Sequence, residues 1–149
     1  MTADQVFSIA NNVALLGWVL LVVLGPRRWV APLVTGAILP LLFAILYGPL
    51  IAAHWSETPG GGFGSLSQVA TLFSNRWLLL AGWVHYLAFD LFVGSWEVRD
   101  AQRNHISHWL VIPCLILTFM LGPVGLLLYF ILRLARVRTL RLDMAPAEK

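Results

Sequence analysis

The sequence predicts an all-α integral membrane protein, a four-helix bundle whose helices are kinked by proline. Three observations carry this. The chain of 149 residues is 59% hydrophobic and only 11% charged, with mean hydropathy +0.80, whereas a soluble domain carries about 25% charged residues. Its apolar residues fall into four runs, each close to the ~20 residues that cross a ~30 Å hydrocarbon layer. Tryptophans 29, 55, 77, 96 and 109 stand near the ends of those runs, where an aromatic belt sits. Helices follow from the solvent, because a backbone in lipid must satisfy its own hydrogen bonds.

Span one covers about residues 6–24 and is apolar apart from Ser8, Asn11 and Asn12. No basic segment precedes it and no small-residue cleavage site follows, so it reads as a retained helix and not a signal peptide. Gly25-Pro26-Arg27-Arg28 is a short turn, which makes spans one and two a tight antiparallel hairpin. Span two covers about residues 29–53 and contains Pro40 and Gly48-Pro49. The connection from Ser56 to Asn75 is the longest, and its Pro59-Gly60-Gly61-Gly62-Phe63-Gly64 run lacks the Lys-Ser or Lys-Thr of a phosphate-binding loop. Leu66, Val69, Leu72 and Phe73 recur there at helical spacing and predict a short interfacial helix. Span three covers about residues 77–96, and span four about residues 109–134 with Pro113 and Gly122-Pro123 inside it. Each internal proline lacks a donor and frees the carbonyl four residues earlier. Pro40 frees Gly36, Pro113 frees Trp109 and Pro123 frees Phe119. Simple kinks are one reading; carbonyls lining a polar cavity beside span three are the other. Gly48-Pro49 echoes Gly122-Pro123, which raises the idea of two repeated hairpins. Residues 143–149 read as a disordered tail.

The lone Cys114 excludes an intramolecular disulfide and a Cys-rich zinc site. Four histidines in the whole chain are too few for the His boxes of membrane di-iron oxygenases, and no serine-hydrolase elbow is present. Net charge is +3, and Arg133, Arg136, Arg138 and Arg141 crowd together, which points to anionic lipid headgroups and not to nucleic acid. With four crossings, six basic residues share a side with both termini against four on the other, so both termini are expected in the cytoplasm.

Span three is the only span with ionisable groups well inside it, His85 and Asp90. An Asp at that depth costs roughly 2.5–3.5 kcal/mol on insertion scales, so such groups have partners and uses. Tyr86, Asp90, Gly94 and Glu97 share one helical stripe. Five residues separate His85 from Asp90, about 140° of rotation, so the two do not face one another on a straight helix. Candidate partners are Tyr47, Asn11, Asn12, Thr118 and Tyr129. As structural groups, Asp90 holds an interhelical hydrogen bond and His85 fills the core; as functional ones, they do general acid/base work. Trp83, Tyr86, Phe89, Trp96, Tyr47 and Tyr129 are the aromatic candidates for contact with an apolar ligand. A second cluster, Glu97, Asp100, His105 and His108, has spacing that suits metal ligands or an ordinary solvated loop; no cofactor is otherwise expected.

The blocks HYLAFDLFVG at residues 85–94 and PCLILTFMLGPVGLLLY at residues 113–129, in this order around an acidic, His-containing loop, resemble the abscisic-acid-deficient-four-like family. These are small four-span membrane proteins whose plant members are associated with neoxanthin synthesis. The resemblance is strongest over residues 77–133. It implies a membrane-resident role in carotenoid biosynthesis. In the plant reaction an epoxycarotenoid becomes an allenic alcohol without net oxidation, which needs an acid at the epoxide oxygen and a base at the polyene. On that basis His85 and Asp90 are the expected catalytic pair of an isomerase acting on a carotenoid or related terpenoid. The other readings are a carotenoid-binding or accessory protein, and a proton-coupled carrier that would need a homodimer to enclose a path. The short chain, with no plastid transit peptide, resembles bacterial members and implies a bacterial inner (cytoplasmic) membrane.

Overall fold

A computed structural model describes residues 1–139. Arg141 and the tail at residues 143–149 lie outside the described residues. Among the described residues there are six α-helices and no strand.

Helix α1, Ala3–Leu24, starts at a capping box in which Thr2 and Gln5 satisfy each other's backbone N–H groups. It buries Ala10, Ala14, Gly17, Trp18 and Leu21, a stripe at three- and four-residue spacing. The second rod has two parts. A π-helical segment, Val30–Ile38, leads into α2, Leu39–His54, and one short turn, Trp55–Glu57, ends it. The change of winding falls at Pro40, whose missing N–H would otherwise break the regular ladder. Thr35 in the π segment donates to the Val30 carbonyl and accepts from Ser95 at 2.7 Å, which pins this rod to the third one. Gly48-Pro49 lies inside continuous α2. A short helix does form in this connection, α3, Leu66–Ser74, capped by Ser65 and resting on buried Leu72.

Helix α4, Arg76–Arg103, is the central strut, and each of the other helices packs on it. Asn75 caps its first turn through the Trp77 and Leu78 amides. It extends seven residues past the expected end at residue 96. Hydropathy predicted a stop at Glu97, but Glu97 and Asp100 are buried against other helices, so the helix carries them inside the fold. α1, the second rod and α4 are each long and apolar enough to cross a membrane.

The fourth span is a correction. It is not one helix but two, α5, His108–Leu121, and α6, Pro123–Val137, folded back on each other at Gly122. Gly122 has φ +46° and ψ −97°, a conformation that a side chain resists, and Pro123 cannot donate to extend α5. The two helices touch closely: a Cβ on Gly125 would lie 2.0 Å from the Thr118 backbone nitrogen. In one straight helix those residues would be ~10 Å apart along the axis. Contacts along α4 fix the direction of each arm. His108 lies near Gly25 and Val22 at the α4 C-terminal end, and Gly122 lies beside Asp90 at the middle of α4. Tyr129 and Arg133 then return to Asp100. The hairpin therefore enters from one end of the bundle, reaches half-depth and leaves by the same end. The repeat suggested by the two Gly-Pro pairs does not extend to structure, since one pair is helical and the other reverses the chain.

Candidate functional site

Helix α4 presents chemistry on two sides. On the side facing the second rod, a cavity of about 760 Å³ opens laterally between the helices, within the usual size range of small-molecule sites. Gly36, Pro40, Phe43, Tyr47, His85 and Phe89 are among its walls. The π-helical segment and its junction with α2 shape the upper wall, and Gly36 lets the backbone form part of it. His85 stacks on Phe89 at 4.4 Å and lies 5.8 Å from the Tyr47 ring. Neither the His85 imidazole nor the Tyr47 hydroxyl hydrogen-bonds to a described residue. They are the only two polar side chains among the lining residues.

On the other side, α4 meets α1 and the α5–α6 hairpin. Tyr86 donates to the Phe119 carbonyl at 3.3 Å. Phe119 lies in the last turn of α5, so its carbonyl is open because the helix ends at Gly122 and not because a proline interrupts a continuous span. Asp90 lies against the hairpin tip at Gly122, and its Oδ2 is buried with no partner. Trp83 donates from Nε1 to Asn11 at 2.7 Å and packs on Tyr86 and Phe7. Further along, Glu97 is fully buried; its Oε1 accepts from Thr118 at 2.9 Å and its Oε2 has no partner. Next to it, Asp100 Oδ2 accepts from the Tyr129 hydroxyl at 2.6 Å and from Arg133 Nε at 2.7 Å. Trp96 meets Tyr129 edge-on at 5.4 Å.

The expected site residues thus separate into three groups. His85, Tyr47 and Phe89 come together in the lateral cavity. Asp90, Tyr86 and Trp83 stand on the opposite side of α4. Trp96 and Tyr129 pack on each other near the end of the hairpin, with Tyr129 closed off from any ligand. His85 and Asp90 do not share one site, because their five-residue spacing on an unbroken helix turns them apart. The second polar cluster is not assembled either: Glu97 and Asp100 point into the bundle, His105 is in an exposed turn, and His108 bonds to the Val22 carbonyl at 2.8 Å. Among the described residues, no group of three or more His, Cys, Asp or Glu side chains is placed to hold a metal. Arg133, expected at the lipid headgroups, is 1% exposed and ion-paired to Asp100. Its charge is drawn inward because Asp100 would otherwise be buried alone. Arg136 and Arg138 remain exposed.

Trp18, buried against α4 and Phe119, carried no signal in the sequence beyond its place in an apolar run. Thr118 was legible as a polar residue in span four, but its partner was not.

The curated Protein ABA DEFICIENT 4, chloroplastic, of Arabidopsis thaliana is 28% identical over 138 residues, covering 87% of this chain and 60% of that protein. The chain therefore spans about three fifths of the length of the relative it matches. No solved structure matches it. Residues 5–129, which include the lateral cavity, Asp90 and the hairpin tip, match the ABA DEFICIENT 4-like family, and the chain belongs to that family.

Proposed function

We propose that this protein is an intramembrane isomerase-like enzyme for a carotenoid or related terpenoid lipid, held in the lateral cavity between the second rod and α4. One observation carries the reading: His85 and Tyr47 face an otherwise apolar cavity, open to the side, with their polar atoms bonded to no described residue. A polar group at membrane depth is costly, and one left without a protein partner points to a ligand that supplies it. The cavity accepts a rod-like apolar chain from the bilayer, and Phe43 and Phe89 offer flat faces to a polyene.

For an epoxide substrate the chemistry is proton-neutral. The Tyr47 hydroxyl donates to the epoxide oxygen, and the His85 imidazole removes a proton from the neighbouring chain carbon. The C–O bond opens, a new C=C forms, and the proton delivered to oxygen balances the one taken from carbon. No oxidant is consumed and the mass is unchanged. Asp90, on the opposite side of α4, is outside this site.

The test is a carotenoid-producing host expressing wild type, His85→Ala or Tyr47→Phe, with extracted pigments compared by mass spectrometry and chromatography. A product of unchanged mass present with wild type and lost in His85→Ala supports the reading. Unmodified pigment bound alike to wild type and both variants would instead mean a carotenoid-binding or accessory protein.

A further inference from the structure

The connection between α2 and α4 differs in chemistry from the others in this chain. The turn after α1 carries Arg27 and Arg28, and the one after α4 follows Arg103 and holds His105. Residues 58–75 carry no ionisable side chain at all. The segment is nonetheless folded. The Gly62 amide donates to the Gln68 carbonyl at 3.2 Å and the Gly64 amide to Gln68 Oε1 at 3.0 Å, and Ser65 caps α3 through the Gln68 amide. A folded segment bathed in water ordinarily carries charge, about a quarter of the residues in soluble domains.

Helix α3 has a wider apolar face than the protein covers. At 3.6 residues per turn, Leu72, Val69, Phe73, Leu66 and Ala70 span roughly 160° of it, and Ser67, Gln68 and Thr71 lie opposite. The protein closes one edge, where Leu72 is 1% exposed and Val69 half-buried. Leu66 is 86% exposed, and Ala70 and Phe73 are exposed as well. Just before the helix, exposed Phe63 meets Trp55 at 5.6 Å. The place of this face along the bundle points to what covers it. The Phe73 ring stands 3.1 Å from where a Cβ on Gly82 would lie, six residues or ~9 Å along α4 from Arg76. Arg76 and Asp4 form an exposed ion pair, which belongs at the headgroups or in water. The Phe73 ring therefore reaches inward from that level by about the 5–10 Å that an interfacial helix sinks. Leu79, which shares a face of α4 with Gly82, is also exposed, so the apolar face adjoins surface that meets acyl chains on a crossing helix.

We propose that residues 58–75 are a bilayer-seated element. Helix α3 lies in the headgroup–acyl boundary of the leaflet at the N-terminal end of α4, with Leu66, Ala70 and Phe73 in the acyl chains and Ser67 and Thr71 toward water. The partner is the phospholipid bilayer itself. The segment has no cation to meet an anionic headgroup, so its seating rests on apolar burial and is independent of lipid charge. The opposite end of the bundle differs, since Arg27, Arg28, Arg103 and Arg136 are exposed there.

Electron paramagnetic resonance of nitroxide labels on single cysteines tests this, with the full chain carrying Cys114→Ala in phosphatidylcholine nanodiscs. Oxygen concentrates among acyl chains and a water-soluble nickel chelate stays outside, so the reagent that relaxes a label more strongly reports its surroundings. Labels at Leu66→Cys and Ala70→Cys are expected to respond more to oxygen, as one at Val19→Cys on the exposed side of α1 does, and a label at Thr71→Cys more to nickel. All four positions are exposed, so the labels leave the packing intact. The same pattern should hold when phosphatidylglycerol is added. Nickel dominating at Leu66→Cys and Ala70→Cys would put the face in water. Protection of both from either reagent would mean that a second copy or another protein covers it. Oxygen dominating only with phosphatidylglycerol present would mean that charge seats the helix. Each of these three results would overturn the proposal.

Discussion

Arg133 and Asp100 meet where both side chains are nearly inaccessible, at 1% and 6% exposure. Desolvation makes such a pair weak evidence of net stability, yet removing one partner leaves the other charge buried. Arg133→Leu should therefore destabilise the protein by about 3–5 kcal/mol, read as a lowered unfolding midpoint in detergent. A loss under ~1 kcal/mol would mean the pair behaves like a surface one. Arg136→Ala, at an exposed position, should leave that midpoint within ~0.5 kcal/mol. At this scale the sequence named most of the relevant side chains. Asp90, Glu97, Asp100, Tyr129 and His85 all stand out as polar or ionisable residues in apolar runs. It could not assign partners, because Asp100–Arg133 and Glu97–Thr118 are 33 and 21 residues apart in the chain.

At the scale of elements, the two Gly-Pro pairs show how packing decides a local signal. Gly48 has nothing within 4 Å of where a Cβ would stand, and α2 runs on through Pro49. Gly125, by contrast, has the Thr118 backbone against it, and Gly122 holds a positive φ beside Asp90. Gly48→Ala should be neutral or stabilising by ~0.5–1 kcal/mol, the usual gain in a helix interior. Gly125→Val should force α5 and α6 apart and cost at least ~3 kcal/mol, because backbone, not a flexible side chain, must move. Denaturant titrations of the two variants side by side check both. Helix starts were placed from the apolar runs to within a few residues, and the caps at Thr2, Ser65 and Asn75 fix them in the structure. The hairpin was not, because Gly-Pro inside an apolar run is compatible with a kink, a continuous helix or a reversal.

For the whole molecule the hairpin changes the topology. Three helices long enough to cross, followed by a hairpin that returns, place the N-terminus and the end of α6 at opposite ends of the bundle, not on one side as the four-span reading required. Of the eight described arginines, seven then lie at one end (Arg27, Arg28, Arg99, Arg103, Arg133, Arg136 and Arg138), and Arg76 alone lies at the other, paired with Asp4. Membrane insertion retains basic residues on the side of synthesis, so the α6 end is expected there and the N-terminus across the membrane. Single cysteines at Gln5 and at Arg138, in a Cys114→Ala background, should label from opposite faces with a membrane-impermeant maleimide. Labelling of both from one face would restore four crossings.

Composition and the length of the apolar runs were enough, on their own, to specify a helical protein built for a bilayer, because the bilayer imposes helices on any long apolar segment. The residue blocks around Asp90 and Pro123 were enough to suggest the family. Tertiary structure alone decided that the last run turns back, that His85 and Asp90 serve different sides of α4, and that Glu97 and Asp100 are interior. The reason is physical: hydropathy measures what a segment prefers to be surrounded by, whereas reversal and pairing depend on which backbone approaches which glycine and which buried charge finds which partner.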